Sequence, residues 1–296
     1  MPDGRPTMTV PTKTPAHVLT RARALLAAGH PGPSLAISVL ATVLAAQAAP
    51  AGIGPVLAGP AMLAGQLSIG WSNDAVDAAR DAAAGRIEKP IAAGVIGVRP
   101  VWIAACAALV AALATALAIS PLTALILTLI VGAGWAYNLG LKSTPASGLM
   151  YILGFGPIPA YAASTLPGQP LPTWYATTAA ALLGLGGHFA NVLPDLTADQ
   201  ATGVAGLPQR LGARWGAGAV RGAALALLLS ASVLLLVASG FHWIAVAGMA
   251  VACVFAVVGA VGAGKVPFAA AFGIAAVDVV LLVVLGYVGG GGYAQI

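Results

Sequence analysis

Charge is what this chain has least of. Asp, Glu, Lys and Arg make up 7% of its 296 residues, whereas about a quarter of a soluble domain is charged, so a soluble fold is excluded. The acids are the scarcer sign, eight against thirteen Lys and Arg. With only two cysteines, Cys106 and Cys253, neither a disulfide framework nor a paired-cysteine metal site can be built. Both lie in apolar stretches and read as small packing residues. Two-residue alternation is also missing, which excludes a membrane barrel. What fills the chain is apolar, with 59% hydrophobic residues and a mean hydropathy of +0.95.

The apolar residues come in long runs. No charged residue occurs between Arg23 and Asp74, Arg99 and Lys142, Lys142 and Asp195, or Arg221 and Lys265. Each gap is roughly twice the length of about 20 residues that crosses a bilayer, so each reads as a helical hairpin. Turns are visible at Pro50–Pro55, Ser120-Pro121, Pro167–Pro172 and Ser239-Gly240. One further span runs from Lys265 to about Gly286, interrupted by Asp278. The expectation is all-α: a bundle of nine transmembrane helices, in two four-helix halves plus a ninth helix.

All thirteen Lys and Arg fall in the amino-terminal tail or between hairpins. The positive-inside rule then puts the amino terminus on the cytoplasmic side and the carboxyl terminus outside, as in a multi-pass plasma-membrane protein. Residues 1–19 read as a flexible tail and 20–296 as one domain, opening on a short interfacial helix around Thr20–Ala28. Residues 1–33 are too polar and too basic for a secretory signal.

Five of the eight acids sit in two short clusters: Asp74, Asp77 and Asp81, then Asp195 and Asp199. Helical spacing puts the first three on one stripe about 10 Å long and the other two one turn apart. Four spans separate the clusters, and an even number of crossings returns the chain to the same face, so the two can meet. Crowded carboxylates repel unless cations hold them together. Hard divalent ions with oxygen ligands meet that need, and Mg²⁺ usually arrives with a phosphate substrate. The bland alternative is a pair of solvated acidic helix ends.

These motifs resemble those of the UbiA superfamily of intramembrane prenyltransferases. The family's N-D-x-x-D-x-x-x-D is matched by Asn73, Asp74, Asp77 and Asp81, and its D-x-x-x-D with a following glycine by Asp195, Asp199 and Gly203. The stretches Gly85–Gly94, Tyr137–Lys142 and Leu207–Gly212 look like the family's too. The resemblance implies a bundle around a central cavity, with a polyprenyl diphosphate held through Mg²⁺ on both motifs. It implies Lys142, then Arg86 and Lys89, as cationic partners of the diphosphate. Tyr137 would bond the diphosphate or face the allylic cation.

His188, Asn191 and Asp195, at i, i+3 and i+7, are expected to share one cavity face and to bind an acceptor or orient a carboxylate. Helix packing is the competing role for His188. Trp71 and Trp135 read either as cation-facing aromatics or as interfacial belt residues, and His242 is expected away from the chemistry. Asp278 is expected either protonated or paired with a hydroxyl of a neighbouring helix. The first helix, from about Ser34 to Ala49, has no Arg or Lys, which counts against a hydroxybenzoate acceptor. Phosphoribosyl transfer to a polyprenyl phosphate, terpene cyclisation and cation-coupled transport stay open as alternatives.

Overall fold

Twelve α-helices carry nearly all of the computed structural model, which describes residues 15–47, 52–201, 203–288 and 294–295. In chain order they are α1 (Pro15–Ala28), α2 (Pro31–Ala46), α3 (Ile53–Ala83), α4 (Val98–Ile119) and α5 (Pro121–Asn138), then a 3₁₀ turn at Leu141–Ser143. There follow α6 (Ser147–Phe155), α7 (Ile158–Ser164), the two-residue strand β1 (Leu171–Pro172), α8 (Trp174–Val192) and α9 (Leu196–Ala201). The chain closes with α10 (Leu207–Ala238), α11 (Trp243–Val261), α12 (Val266–Val288) and strand β2 (Ala294–Gln295).

The hairpin turns form where proline and glycine allow them. Ser120 ends α4 and caps α5, its Oγ accepting from Thr123 N at 3.0 Å, with Pro121 in the first helical turn. Gly240, at φ 63°, reverses the chain between α10 and α11. His242 caps α11 through Nδ1, far from the acidic clusters as expected. The first expected turn falls partly on residues 48–51 and the amino-terminal tail largely on 1–14, both outside the described residues.

Among the described residues, six helices (α3, α4, α5, α10, α11 and α12) are long and apolar enough to cross a membrane, and α1 with α2, bent by 59°, makes seven. That is two short of the nine expected, for local reasons. Gly156-Pro157 breaks the fifth apolar stretch into α6 and α7, of nine and seven residues, each too short alone. Helix α8, the sixth, is long enough but not among the helices apolar enough to cross. The outer surface suits lipid, with Val110, Leu125, Val254, Val257 and Val280 all exposed. This is a multi-pass membrane protein. Cys106 and Cys253 are free and lie on that outer surface, not in the packed interior.

Within the bundle α3 packs on α2, α4 and α5, while α10 packs on α8, α11 and α12. Helix α12 also touches α2, which closes the ring. One end is knit by polar contacts: Thr123 Oγ1 donates to Ser164 O at 3.0 Å, and Gln47 Nε2 donates to Val283 O. Antiparallel pairing of β1 with β2 ties the segment after α12 to the α7–α8 turn at that same end. The acidic clusters lie at the other end.

Asp278 is fully buried on α12, and Ser232 of α10 donates to its Oδ1 at 2.7 Å. A neighbouring hydroxyl is thus the partner, one of the two options left open by the sequence. Its Oδ2 has no hydrogen bond. Ser232→Ala should therefore cost roughly 1–3 kcal/mol, the penalty of a buried polar group left bare. Adding Asp278→Leu should restore most of it, because removing both partners is far cheaper than removing one. Thermal unfolding in detergent checks this, and strictly additive losses would contradict the pairing.

Candidate active site

Helix α3 brings its three acids into the protein interior: Asp74, Asp77 and Asp81 are 2%, 6% and 2% exposed. Three bare carboxylates on about two turns of helix would repel strongly, so each is matched by cations of the chain itself. Lys89 Nζ stands 2.6 Å from Asp74 Oδ1 and 3.3 Å from Asp81 Oδ2, bridging the two. Arg86 Nη1 approaches Asp81 Oδ1 at 3.5 Å. Asp77 is held by Arg80, at 2.7 Å, and by a close ion pair with Lys142. Asp74 Oδ1 is also hydrogen-bonded to His30 Nε2, at 2.8 Å.

Local backbone chemistry puts these cations in place. Gly85, at φ 67°, ends α3 in a conformation that glycine adopts freely, and Arg86 N bonds back to Asp81 O at 3.0 Å. That turn folds residues 86–89 under the helix end, where Arg86 and Lys89 reach the carboxylates of Asp81 and Asp74. Asn73 donates to Asn138 Oδ1 at 3.1 Å, and Asn138 donates to Ile69 O and Ser72 Oγ. This pins α3 to the end of α5 just before the turn that carries Lys142. Burial lowers the proton affinity of Lys142, and the neighbouring Asp77 opposes that.

The second cluster repeats the device. Asp199 N bonds Asp195 O at 2.8 Å, one turn apart as expected. Gly203, at φ 77°, ends α9, and Val204 N returns to Asp199 O at 2.9 Å. Each cluster therefore ends on an aspartate whose carbonyl accepts from the amide just after a left-handed glycine four residues on. Asp199 is half-buried and accepts from Gln209 Nε2 at 2.8 Å, whereas Asp195 is exposed. Burial first, and then the charge of Asp195, push the Asp199 carboxyl above its usual range, against the bond from Gln209. Arg80 and Arg86 act electrostatically on Asp199, and Asp77 and Asp199 both act on Tyr137. The two clusters thus face a common space. Packing there is tight: a Cβ at Gly206 would stand 2.5 Å from Lys142 O and 2.9 Å from Ser147 Oγ.

Behind the acids lies an aromatic group. His188 stacks on Tyr151 at 4.3 Å between ring centres, and Tyr137 meets both edge-on. Tyr151 is hydrogen-bonded to Tyr137 and Asn191. The expectation that His188, Asn191 and Asp195 share one helix face is overturned. Helix α8 ends at Val192, and the bend at Leu193-Pro194 turns Asp195 to the surface while His188 stays fully buried. The tryptophans are held by structural bonds: Trp71 Nε1 donates to Leu25 O and Trp135 Nε1 to Ser68 Oγ.

Sequence reasoning missed Arg80, His30, Gln209, Ser147 and Tyr151 as neighbours of the site. Arg80 was accessible from its i+3 spacing to Asp77, and Gln209 lies within a stretch singled out for other reasons. Tyr151 carries no sequence signal, since its contacts cross from α6 to α5 and α8.

A profile of the UbiA prenyltransferase family matches residues 34–263. The chain belongs to the UbiA prenyltransferase family. No curated protein sequence matches it. Among solved structures, a UbiA homologue from Archaeoglobus fulgidus bound to GPP and Mg²⁺ superposes with a TM-score of 0.68 at 16% identity, over 87% of this chain and 97% of that one. The apo UbiA homologue from Aeropyrum pernix K1 gives 0.64 at 18% identity, over 84% and 98%. A structure of digeranylgeranylglyceryl phosphate synthase gives 0.64 at 14%, over 90% and 97%. At these identities the likeness shows the fold.

Proposed function

We propose that this protein is a Mg²⁺-dependent intramembrane prenyltransferase that moves a polyprenyl group from its diphosphate to a lipophilic acceptor. The observation that carries this reading is the facing of two acidic helix ends across a space rimmed by Lys89, Lys142, Arg80 and Arg86. Four cations beside buried acids suit a trianionic diphosphate better than they suit any apolar ligand.

The residues fit a magnesium ion. Asp81 Oδ2 is buried without a hydrogen bond, and the donors are hard carboxylate oxygens. Among the described residues, no three His, Cys, Asp or Glu side chains form a ready-made metal cluster. This agrees with a metal that is shared, since Mg²⁺ is typically held by one or two carboxylates together with substrate phosphates. Asp74, Asp77 and Asp81 on one side, with Asp199 and Asp195 on the other, would hold it. When bound, it neutralises the diphosphate and makes it a better leaving group. Lys142, Lys89 and Arg86 would exchange their carboxylate partners for phosphate oxygens and stabilise the charge that develops there. The C1–O bond breaks with its electron pair leaving on diphosphate. The acceptor then forms a bond to C1 and gives up a proton to solvent. Tyr137, flanked by Tyr151 and His188, offers its ring to the allylic cation.

In this reading α6 and α7 together make one broken crossing and α8 another, giving nine spans with the motif end cytoplasmic and the carboxyl terminus outside. Broken backbone is tolerated at membrane depth where protein covers it, and α7 is almost wholly buried. Transport is disfavoured because, among the acids of the described residues, Asp278 alone lies at the middle of an apolar span, and Ser232 already partners it.

The test is to give purified protein Mg²⁺ and labelled geranyl diphosphate and to follow diphosphate release. Release should require Mg²⁺ and stop with EDTA. Cyclic hydrocarbon without acceptor would reassign the protein as a cyclase. Turnover only of a sugar diphosphate would make it a phosphoribosyltransferase, and release from neither would overturn the reading.

A further inference from the structure

His188 is fully buried, yet one of its two ring nitrogens has no partner. Nε2 lies 3.0 Å from Ser147 Oγ, and that same oxygen accepts from Leu207 N at 2.8 Å. Ser147 has one hydroxyl proton, and Nε2 is the acceptor within its reach. Donation from Ser147 makes Nε2 an acceptor, which leaves the ring proton of a neutral imidazole on Nδ1. Nδ1–H is therefore a buried donor with nothing to bond among the described residues. Buried donors are nearly always satisfied, so an orphan of this kind is a place for an external oxygen.

Its surroundings say which kind. Tyr151 lies parallel to the imidazole at 4.3 Å with Phe155 stacked beyond it, and Tyr137 stands edge-on at 5.8 Å. Asn191 is tied to Tyr151, and no charged side chain belongs to this group. Asp77 and Asp199 act on Tyr137, so the group adjoins the space between the acidic clusters. Among the described residues, no cation is bonded to the imidazole or its ring neighbours that could pair with an anion there. Ring contacts of this kind favour a flat, uncharged molecule.

We propose that His188 Nδ1–H is the hydrogen-bond donor that seats the acceptor, through a hydroxyl or carbonyl oxygen of a neutral ring held at the edge of the His188–Tyr151–Tyr137 group. This rests on the prenyltransferase reading and names the acceptor class for that site. An oxygen held at Nδ1 orients the acceptor for capture of the allylic carbon beside Tyr137. Ser147 acts through His188 as a positioning residue.

Two amides separate binding from support. His188→Gln places its amide where Nε2 was and keeps a partner for Ser147, but has no donor at Nδ1. His188→Asn places its amide nitrogen near Nδ1 and gives up Ser147. Binding of 1,4-dihydroxynaphthalene to metal-free protein in nanodiscs, followed by calorimetry, is the readout. Wild type should bind it saturably, and at least about tenfold tighter than 4-hydroxybenzoate, a difference of about 1.4 kcal/mol. His188→Gln should lose about tenfold with an unchanged melting temperature, and His188→Asn should bind within about threefold of wild type. Wild-type binding by His188→Gln, equal binding of the benzoate, or no binding by wild type would each overturn the assignment. Should His188→Asn not fold, the glutamine comparison decides alone. Failure of wild type to release diphosphate with Mg²⁺ is a separate result, and sinks the prenyltransferase reading instead.

Discussion

Asp77→Asn is expected to lower Mg²⁺-dependent diphosphate release by about a thousandfold, a barrier increase of about 4 kcal/mol. Asp77 is the carboxylate shared by Arg80 and Lys142, and it is one of two acids that act on Tyr137 from opposite clusters. Neutralising it removes an anionic ligand and the charge that orients two cations toward the diphosphate. Asparagine is the informative change because it keeps the shape of the side chain and an acceptor oxygen for Lys142, losing only the bond to the partly exposed Arg80. Alanine would leave a nearly buried Lys142 short of its carboxylate, at a cost of about 3–5 kcal/mol that confuses misfolding with lost chemistry. The melting temperature of Asp77→Asn should fall only slightly. Activity within tenfold of wild type would remove Asp77 from the metal and diphosphate site.

Lys142→Met should reduce release by about a hundredfold to a thousandfold while the protein remains folded. The lysine is 8% exposed, so an unbranched apolar side chain fits its space, and Asp77 retains Arg80 at 2.7 Å. The effect should fall on kcat more than on the KM for prenyl diphosphate, because leaving-group charge is greatest in the transition state. A mere helix-end charge would give nearly wild-type turnover. Steady-state kinetics at saturating Mg²⁺ distinguishes the two.

The part of this site that sequence revealed is the part encoded locally. Helical spacing places Asp74 and Asp81 along one stripe, and Lys89 does bridge them. Charge-free runs and their proline or glycine interruptions locate the hairpins, down to Ser120-Pro121 and Ser239-Gly240. Failures occur where a helix breaks without a charge to mark it. The Gly156-Pro157 break and the bend at Leu193-Pro194 both interrupt helices, and the second separates His188 from Asp195. The matching of acids by neighbouring cations was hidden for a different reason. Lys142 and Asp77 are 65 residues apart, and no periodicity connects the loop after α5 to α3. Crowded carboxylates suggested a need for cations, and the chain proves to supply some itself.

That self-supply bears on how a catalytic cycle ends. An acidic pocket emptied of both metal and product would be left with mutually repelling charges, and would hold on to either one. Here Lys89, Arg86, Arg80 and Lys142 pair with Asp74, Asp81 and Asp77. In the proposed reaction they would return to those acids as spent pyrophosphate departs, which would stabilise the vacated site.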